Sequence, residues 1–368
     1  MSDAQHIHAL SLPIRRVPVK EQQATVPTDD PADPRARLVV MINAFWQVQA
    51  LNAAVVLDLP GHLAAGPATA DELAQRASAD SLAVFRLLRS LAALDVVGDL
   101  GDGRFSLSAA GQLLLPDVPG SVRGMVLHVG NLLWPAFGQL ARCVKTGVPP
   151  PGIKHGPAGF AELETSPREA AVFNQSMVDG SRKVAARAIA AYDFSRFRKV
   201  MDVGGGYGAV LAELLRANPR QRGIILDLNH CAEGAQRYLQ EQGVAERAEF
   251  RTGSFFGPIP PDADCYLLKY IIHDWNDEYA QQIMRRVGEA ATTSNAAVVL
   301  IERVMPQQVT VTPEHRSVVQ GDLTMMLWDG KERTESEYRA LLDQGGLTLS
   351  RTVSIGEGFS IVEATPVH

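Results

Sequence analysis

From Lys199 onward, short apolar runs alternate with stretches whose apolar residues recur every three or four positions, the pattern of strands laid between helices. The runs predict strands at 199–203, 223–228, 248–252, 264–271 and 296–303, with helices between most of them. Two more runs, 347–355 and 359–365, close the chain without a helix between them, so the last strand is expected to turn back antiparallel. The fold class this predicts is α/β, a doubly wound Rossmann-like sheet of seven strands.

The pattern before Lys199 is different. Residues 1–34 hold scattered prolines and charge without periodicity and read as a flexible arm, with His6 and His8 as solvated residues. Residues 35–115 read as a helical domain ending in a hairpin. Thr69-Ala70-Asp71-Glu72 is a capping box opening a helix through Ala77. Ser81 is placed to cap the next helix, where Leu82, Phe85, Leu88, Leu91 and Leu94 recur. Val96-Val97 and Phe105-Ser106-Leu107 then flank the turn pair Asp102-Gly103. This is a winged-helix pattern. Its presumed recognition helix offers only Arg86 and Arg89 as cations, which favours packing and dimerisation over DNA binding. Residues 116–195 form a helical connector, broken at Pro149-Pro150-Pro151-Gly152 and Gly156-Pro157 and contributing to a ligand pocket. It ends in a helix from Pro167 to Tyr192 that aligns Phe173, Met177 and Ser181 on one face. Residues 196–368 hold the α/β sheet, the part of the chain where a ligand is expected to bind.

Leu38 to Leu59 imitates a membrane span, but Asn43, Gln47, Gln49, Asn52 and Asp58 argue for a buried or dimer-forming helix, and no membrane partner is expected. A length of 368 residues suggests two domains, and a net charge of −6 argues against nucleic acid as the main partner. Cys143, Cys231 and Cys265 show neither pairing nor metal-ligand spacing, which fits a reducing cytoplasm. The first residues carry no apolar core after a basic start, so no secretory signal is expected.

The chemistry begins at Asp202-Val203-Gly204-Gly205-Gly206-Tyr207-Gly208, a strand end, a glycine turn and a helix start. Such a turn brings backbone N–H groups against a small ligand. Gly204-x-Gly206-x-x-Ala209, with Asp227 downstream, also fits a dinucleotide fingerprint. Asp202 favours the other reading, since a carboxylate there repels a pyrophosphate and suits an ammonium or sulfonium charge, as in S-adenosyl-L-methionine. Asp227 ends the second strand, where it can accept both ribose hydroxyls of either cofactor. Ser254-Phe255 ends the third, Lys269 to Trp275 the fourth, and Glu302-Arg303 the fifth. His273 is thus expected near the reacting atom, with Glu302 holding its imidazole as a general base requires. A phenol, with a pKa near ~10, needs such a base at neutral pH.

Asp202 to Gly208, Asp227-Leu228, Leu268 to Trp275 and Gly330-Lys331-Glu332-Arg333-Thr334 stand in an order that resembles the S-adenosylmethionine-dependent small-molecule O-methyltransferases of the plant caffeic-acid type, whose bacterial members modify polyketides, phenazines and related aromatics. The resemblance spans nearly everything after the arm. It implies a methyltransferase sheet with an N-terminal dimerisation domain and a homodimer. It implies that Gly204 and Gly206 approach the methionine moiety, that Asp227 binds ribose, that Lys269 holds the amino acid part through its carbonyl and that Ser181 reaches the carboxylate. His273 matches the catalytic base, with Glu302 and Glu332 as its flanking carboxylates. Phe173, Met177 and Met325 match positions beside cofactor or acceptor, Met326 and Trp328 lie near them, and Asp274 is a further acceptor-side candidate. Ser254 stands where plant members carry an acid, which leaves adenine to backbone groups and Phe255. No metal is expected, for no cluster of acids and histidines suits an octahedral oxygen site.

The reaction expected is transfer of a methyl group to a hydroxyl of an aromatic, polycyclic acceptors included, leaving S-adenosyl-L-homocysteine. The alternatives are an N-methyltransferase on a similar aromatic, an NAD-linked oxidoreductase, and a transcription regulator with this fold.

Overall fold

The computed structural model describes residues 33–116, 118–152 and 167–367. The arm with His6 and His8, and the break at Gly156-Pro157, lie outside them. The chain divides into two units, Met1–Trp46 and Gln47–His368. The described part of the first is the helix Pro34–Asn43, capped by Asp33, and the first residues of the helix Phe45–Val56. Leu38, Val40, Met41, Ile42 and Phe45 are each more than half exposed. The stretch Pro34–Val56 is long and apolar enough to cross a bilayer, with 17% of its most apolar window buried.

In the second unit, strands β1 (Ala68–Thr69), β2 (Val97–Asp99) and β3 (Arg104–Leu107) make an antiparallel sheet in the order β1-β3-β2. The capping box forms, with Thr69 Oγ1 accepting from the Glu72 amide and Glu72 accepting from the Thr69 amide. The next helix, Ser81–Ala93, is capped by Asp80, whose carboxylate accepts from the Ala83 amide; Ser81 is its first residue instead of its cap. Leu88 and Leu91 are buried with Val84, whereas Leu82 is 66% exposed and Phe85 37%. The reason is geometric. Steps of three residues fall about 60° short of a full turn, so Leu82 and Leu91 lie on opposite sides of the helix.

The larger sheet contains β4 (Lys199–Val203), β5 (Arg222–Asp227), β6 (Ala248–Thr252), β7 (Cys265–Lys269), β8 (Ala297–Met305), β10 (Leu347–Gly356) and β11 (Phe359–Pro366), in the order β10-β11-β8-β7-β4-β5-β6. The strands from β4 to β8 run parallel, and β11 is antiparallel to both its neighbours. An eighth strand, β9 (Arg333–Thr334), too short to read from hydropathy, pairs with the far end of β8. Alternation along the strands fills two layers. Val299 and Ile301 of β8 face the helices Pro167–Ala191 and Ala209–Ala217, while Val298 and Leu300 face Asp277–Ser294 and Glu335–Gln344. The parallel strands release Asp202, Asp227, Lys269 and Glu302 at one edge, where open α/β sheets bind their ligands.

Candidate active site

The glycine turn leaves β4 through backbone that L side chains avoid, with φ of 73° at Gly204, 57° at Gly206 and 82° at Gly208. A side chain at 204 would stand 2.5 Å from Ile271 Cδ1 and 3.3 Å from Phe255. Under the turn lie two acids, Asp202 buried and Asp227 half-buried. Asp227 Oδ2 accepts from the Gly206 amide and Oδ1 from the Leu228 amide, both at 2.6 Å. Burial raises its pKa against those amides. Asp202 is 2% exposed, and burial, together with the charge of Asp227, lifts its pKa to about 7 against the pull of Lys269. Two carboxylates short of counter-charge around a glycine cradle fit a cationic ligand and disfavour a pyrophosphate. S-adenosylmethionine fits this donor set.

Lys269 ends β7 with its ammonium inside the protein, where burial depresses its pKa to about 8. Its Nζ donates to Ser181 Oγ at 2.9 Å, and Ser181 donates in turn to the Met177 carbonyl. The family resemblance implies a backbone role for Lys269; the fold adds this side-chain link to the long helix. Asn174, one residue past Phe173, was absent from the sequence reading. It is 5% exposed, its Oδ1 stands 3.7 Å from where a Gly206 side chain would begin, and it touches Cys231 Sγ at 3.8 Å. At the third strand end, Ser254 Oγ accepts from the Phe256 amide and Phe255 packs edge-on against Trp275.

His273 sits in a single 3-10 turn, Ile272–Asp274, after β7. Its Nδ1 lies 3.0 Å from Glu332 Oε1, and its Nε2 lies 3.4 Å from Asp274 Oδ1. Glu302 differs from expectation. Its Oε1 accepts the Ile271 and Ile272 amides at 3.0 and 2.9 Å, so it holds the turn, and Glu332 orients the ring. Burial presses the imidazole toward its neutral form, but Glu332, Asp274 and Glu302 outweigh it and raise the pKa to about 9. Burial also lifts Asp274 to about 6 and Glu302 to about 7. Tyr270, at φ 56°, stacks on the imidazole with centroids 4.5 Å apart and planes 5° from parallel. Such a backbone conformation in a non-glycine residue is a marker of functional turns.

The segment Gly330–Arg333 grips this turn one residue after another. A Cβ on Gly330 would lie 2.2 Å from the His273 carbonyl oxygen, so only glycine allows the approach. Lys331 donates its amide to that same oxygen at 2.9 Å. Glu332 meets the ring, and Arg333, 1% exposed, donates to the carbonyls of Ile272 and Trp275 at 2.8 Å while pairing with Asp277. The motif was visible in sequence; the clamp by Gly330 and Arg333 was not. Arg303 lies 4.0 Å from Glu332 and covers the rings of Tyr270 and Phe359.

The ligating atoms of His273, Glu302 and Glu332, the three residues the family motifs bring together, lie within 4.8 Å of one another. Among the described residues Glu302 Oε2 and Glu332 Oε2 have no partner, while the other oxygen of each is held by amides or by the imidazole, the pattern of a hydrogen-bonded triad. Of the residues expected beside the acceptor, Phe173, Met177 and Met325 are half-buried. Met326 and Trp328 pack on Ala136, Cys143 and Leu327, as core residues do.

The O-methyltransferase domain model matches residues 137–348, and the O-methyltransferase dimerisation domain model matches 39–117. The phenazine O-methyltransferase PhzM of Lysobacter antibioticus is 32% identical over 331 residues, 90% of this chain and 96% of that protein. The crystal structure of LaPhzM superposes with a TM-score of 0.84 at 31% identity, covering 91% of this chain and all of that one. The O-methyltransferase NcsB1 from neocarzinostatin biosynthesis, solved with S-adenosylmethionine and 2-hydroxy-5-methyl naphthoic acid, superposes at 0.73 with 32% identity, covering 87% and 96%.

Proposed function

The chain belongs to the O-methyltransferase family, and from that membership we propose that it methylates a phenolic hydroxyl of a planar, polycyclic aromatic natural product, with His273 as general base. The observation that carries this is the 3.0 Å pairing of His273 Nδ1 with Glu332 at the end of β7. The relatives named for phenazine and naphthoic acid chemistry support the acceptor class. The dimerisation-domain match and the exposed apolar face of Pro34–Val56 support a homodimer formed through residues 35–115, with 116–195 as pocket-forming connector and 196–368 as catalytic domain.

S-adenosylmethionine, when bound, supplies an electrophilic methyl group on a cationic sulfur. Gly204, Gly206 and Asp202 would receive its methionine end, with Asp227 at the ribose, Ser254 and Phe255 at the adenine, and Lys269 with Ser181 at the carboxylate. Phe173, Met177, Met325 and Asp274 would flank the acceptor and hold its oxygen in line with the methyl at roughly 3 Å. Glu332 fixes the tautomer that keeps a proton on Nδ1, which leaves the Nε2 lone pair to take the hydroxyl proton as attack proceeds. A base raised toward the pKa of a phenol narrows the gap for that transfer.

The same shift sets a pH dependence. The working form is neutral imidazole, which is the minor form below the His273 pKa of about 9. kcat/KM therefore climbs about tenfold per pH unit from neutrality and levels above that value. Glu332→Gln removes the charge that holds the pKa up, so the limb moves to lower pH, whereas a limb set by the acceptor's own ionisation stays put. A limb that does not move in this variant removes His273 as its source.

The acceptor is tested by incubating the enzyme with S-adenosylmethionine and hydroxylated phenazines, naphthoates and polyketide aromatics, alongside their amino counterparts, with methylated product read by mass. Product from hydroxyl compounds alone is expected. Success confined to the amines would replace oxygen transfer by nitrogen transfer.

A further inference from the structure

The run 123–137 opens as an α-helix at Arg123–Leu127, passes into a six-residue π-helix at His128–Leu133 and closes as an α-helix at Trp134–Phe137. A π-helical segment is less favourable than continuous α-helix and turns the side chains that follow to new directions; where it persists inside a helix it frequently serves a site. Here the segment is held by a hydrogen bond of 3.1 Å from Asn52 to Asn131. The residue that opens it is His128.

His128 is half-buried, and its ring lies 6.4 Å from that of Phe173 at a tilt of 52°. Burial lowers its pKa, with no charged neighbour contributing, so the ring is neutral at physiological pH and offers one donor and one acceptor. Among the described residues those nitrogens take no hydrogen bond. Phe173 shares its helix face with Met177 and Ser181, and Ser181 is tied to Lys269, whose Nζ lies 4.0 Å from the Tyr270 ring stacked on His273. His128 thus stands at the Phe173 end of this helix face, and the turn that carries His273 is linked to its Ser181 end.

We propose that His128 forms a distal polar subsite that hydrogen-bonds a neutral oxygen substituent, hydroxyl or carbonyl, at the end of a polycyclic acceptor remote from the hydroxyl being methylated. This rests on the methyltransferase reading above and adds to it the class of substituent selected. A neutral imidazole half out of water gains from such a partner and gains little from an apolar ring edge.

The test compares 2-hydroxyanthraquinone with 2,6-dihydroxyanthraquinone, which differ by the remote hydroxyl. Wild type should favour the dihydroxy compound in kcat/KM by about three- to tenfold beyond the statistical factor, the range of one neutral hydrogen bond. His128→Leu should erase that preference through KM, with kcat on the monohydroxy compound and affinity for S-adenosylhomocysteine unchanged, and His128→Gln should keep part of it. Equal losses on both compounds in His128→Leu, or a preference that survives it, overturn the subsite. The same comparison is made as Kd on the enzyme–S-adenosylhomocysteine complex, which needs no turnover. A Kd preference that depends on His128 without methyl transfer sinks the reaction assigned to these acceptors and keeps the subsite; absence of binding by either compound overturns the subsite itself.

Discussion

Replacing His273 with glutamine is expected to lower kcat by about 10²- to 10⁴-fold, the contribution of a positioned general base. Affinity for S-adenosylhomocysteine should change little, because the acids and glycines assigned to the cofactor lie on β4 and β5 or in the turn after β4, while His273 follows β7. The decisive control is the acidity of the acceptor. A phenol ionised at the assay pH has no proton to surrender, so the loss should shrink toward the cost of mispositioning alone. Single-turnover methylation of a graded series of phenols reads both effects. An equal loss across the series would leave His273 a positioning role only, and full activity in the variant would remove it from the reaction. Glutamine is preferred to alanine because it fills the buried pocket beside Glu332 and avoids a cavity at a ring-stacked site.

The sheet was legible because its strands are fully buried apolar runs bounded by glycines and acids, and the rule that ligands gather at carboxyl ends carried the reading from β4 to Asp227, Lys269 and His273. What stayed hidden depended on direction. Position at the end of β8 placed Glu302 near His273 but could not say that its carboxylate would turn to the amides of Ile271 and Ile272. The partner of the imidazole, Glu332, was legible through the family motif alone and not through the strand pattern, because its loop is fixed by β9, a two-residue strand with no hydropathic signature. Leu82 and Phe85 misled because a spacing of three imitates a helical face over one turn and drifts off it over three. His128 carried no signal at all, since a π-helix has no sequence period of its own.

Gly330→Ala should be the most damaging small change outside the reacting groups. The added methyl would sit 2.2 Å from the His273 carbonyl oxygen and 2.9 Å from the Asp274 carbonyl carbon, both backbone atoms that no side-chain rotation can move aside. Normal contact requires the two segments to part by about 1 Å, and a displacement of that size at a catalytic centre costs on the order of 10²-fold. The Lys331 amide bond to His273 and the Glu332 contact with Nδ1 both run across that gap, so they lengthen together. Losing the Glu332 charge from the imidazole lowers its pKa, so the residual activity should also show its alkaline limb displaced toward lower pH. Cofactor affinity, read by calorimetry with S-adenosylhomocysteine, should stay within a few-fold of wild type, because the methyl lies against the turn that carries His273 and not against the glycine turn after β4. A variant with wild-type kcat would mean that the Gly330 approach does not position His273, and lost cofactor binding would mean that the clamp supports the whole edge of the sheet.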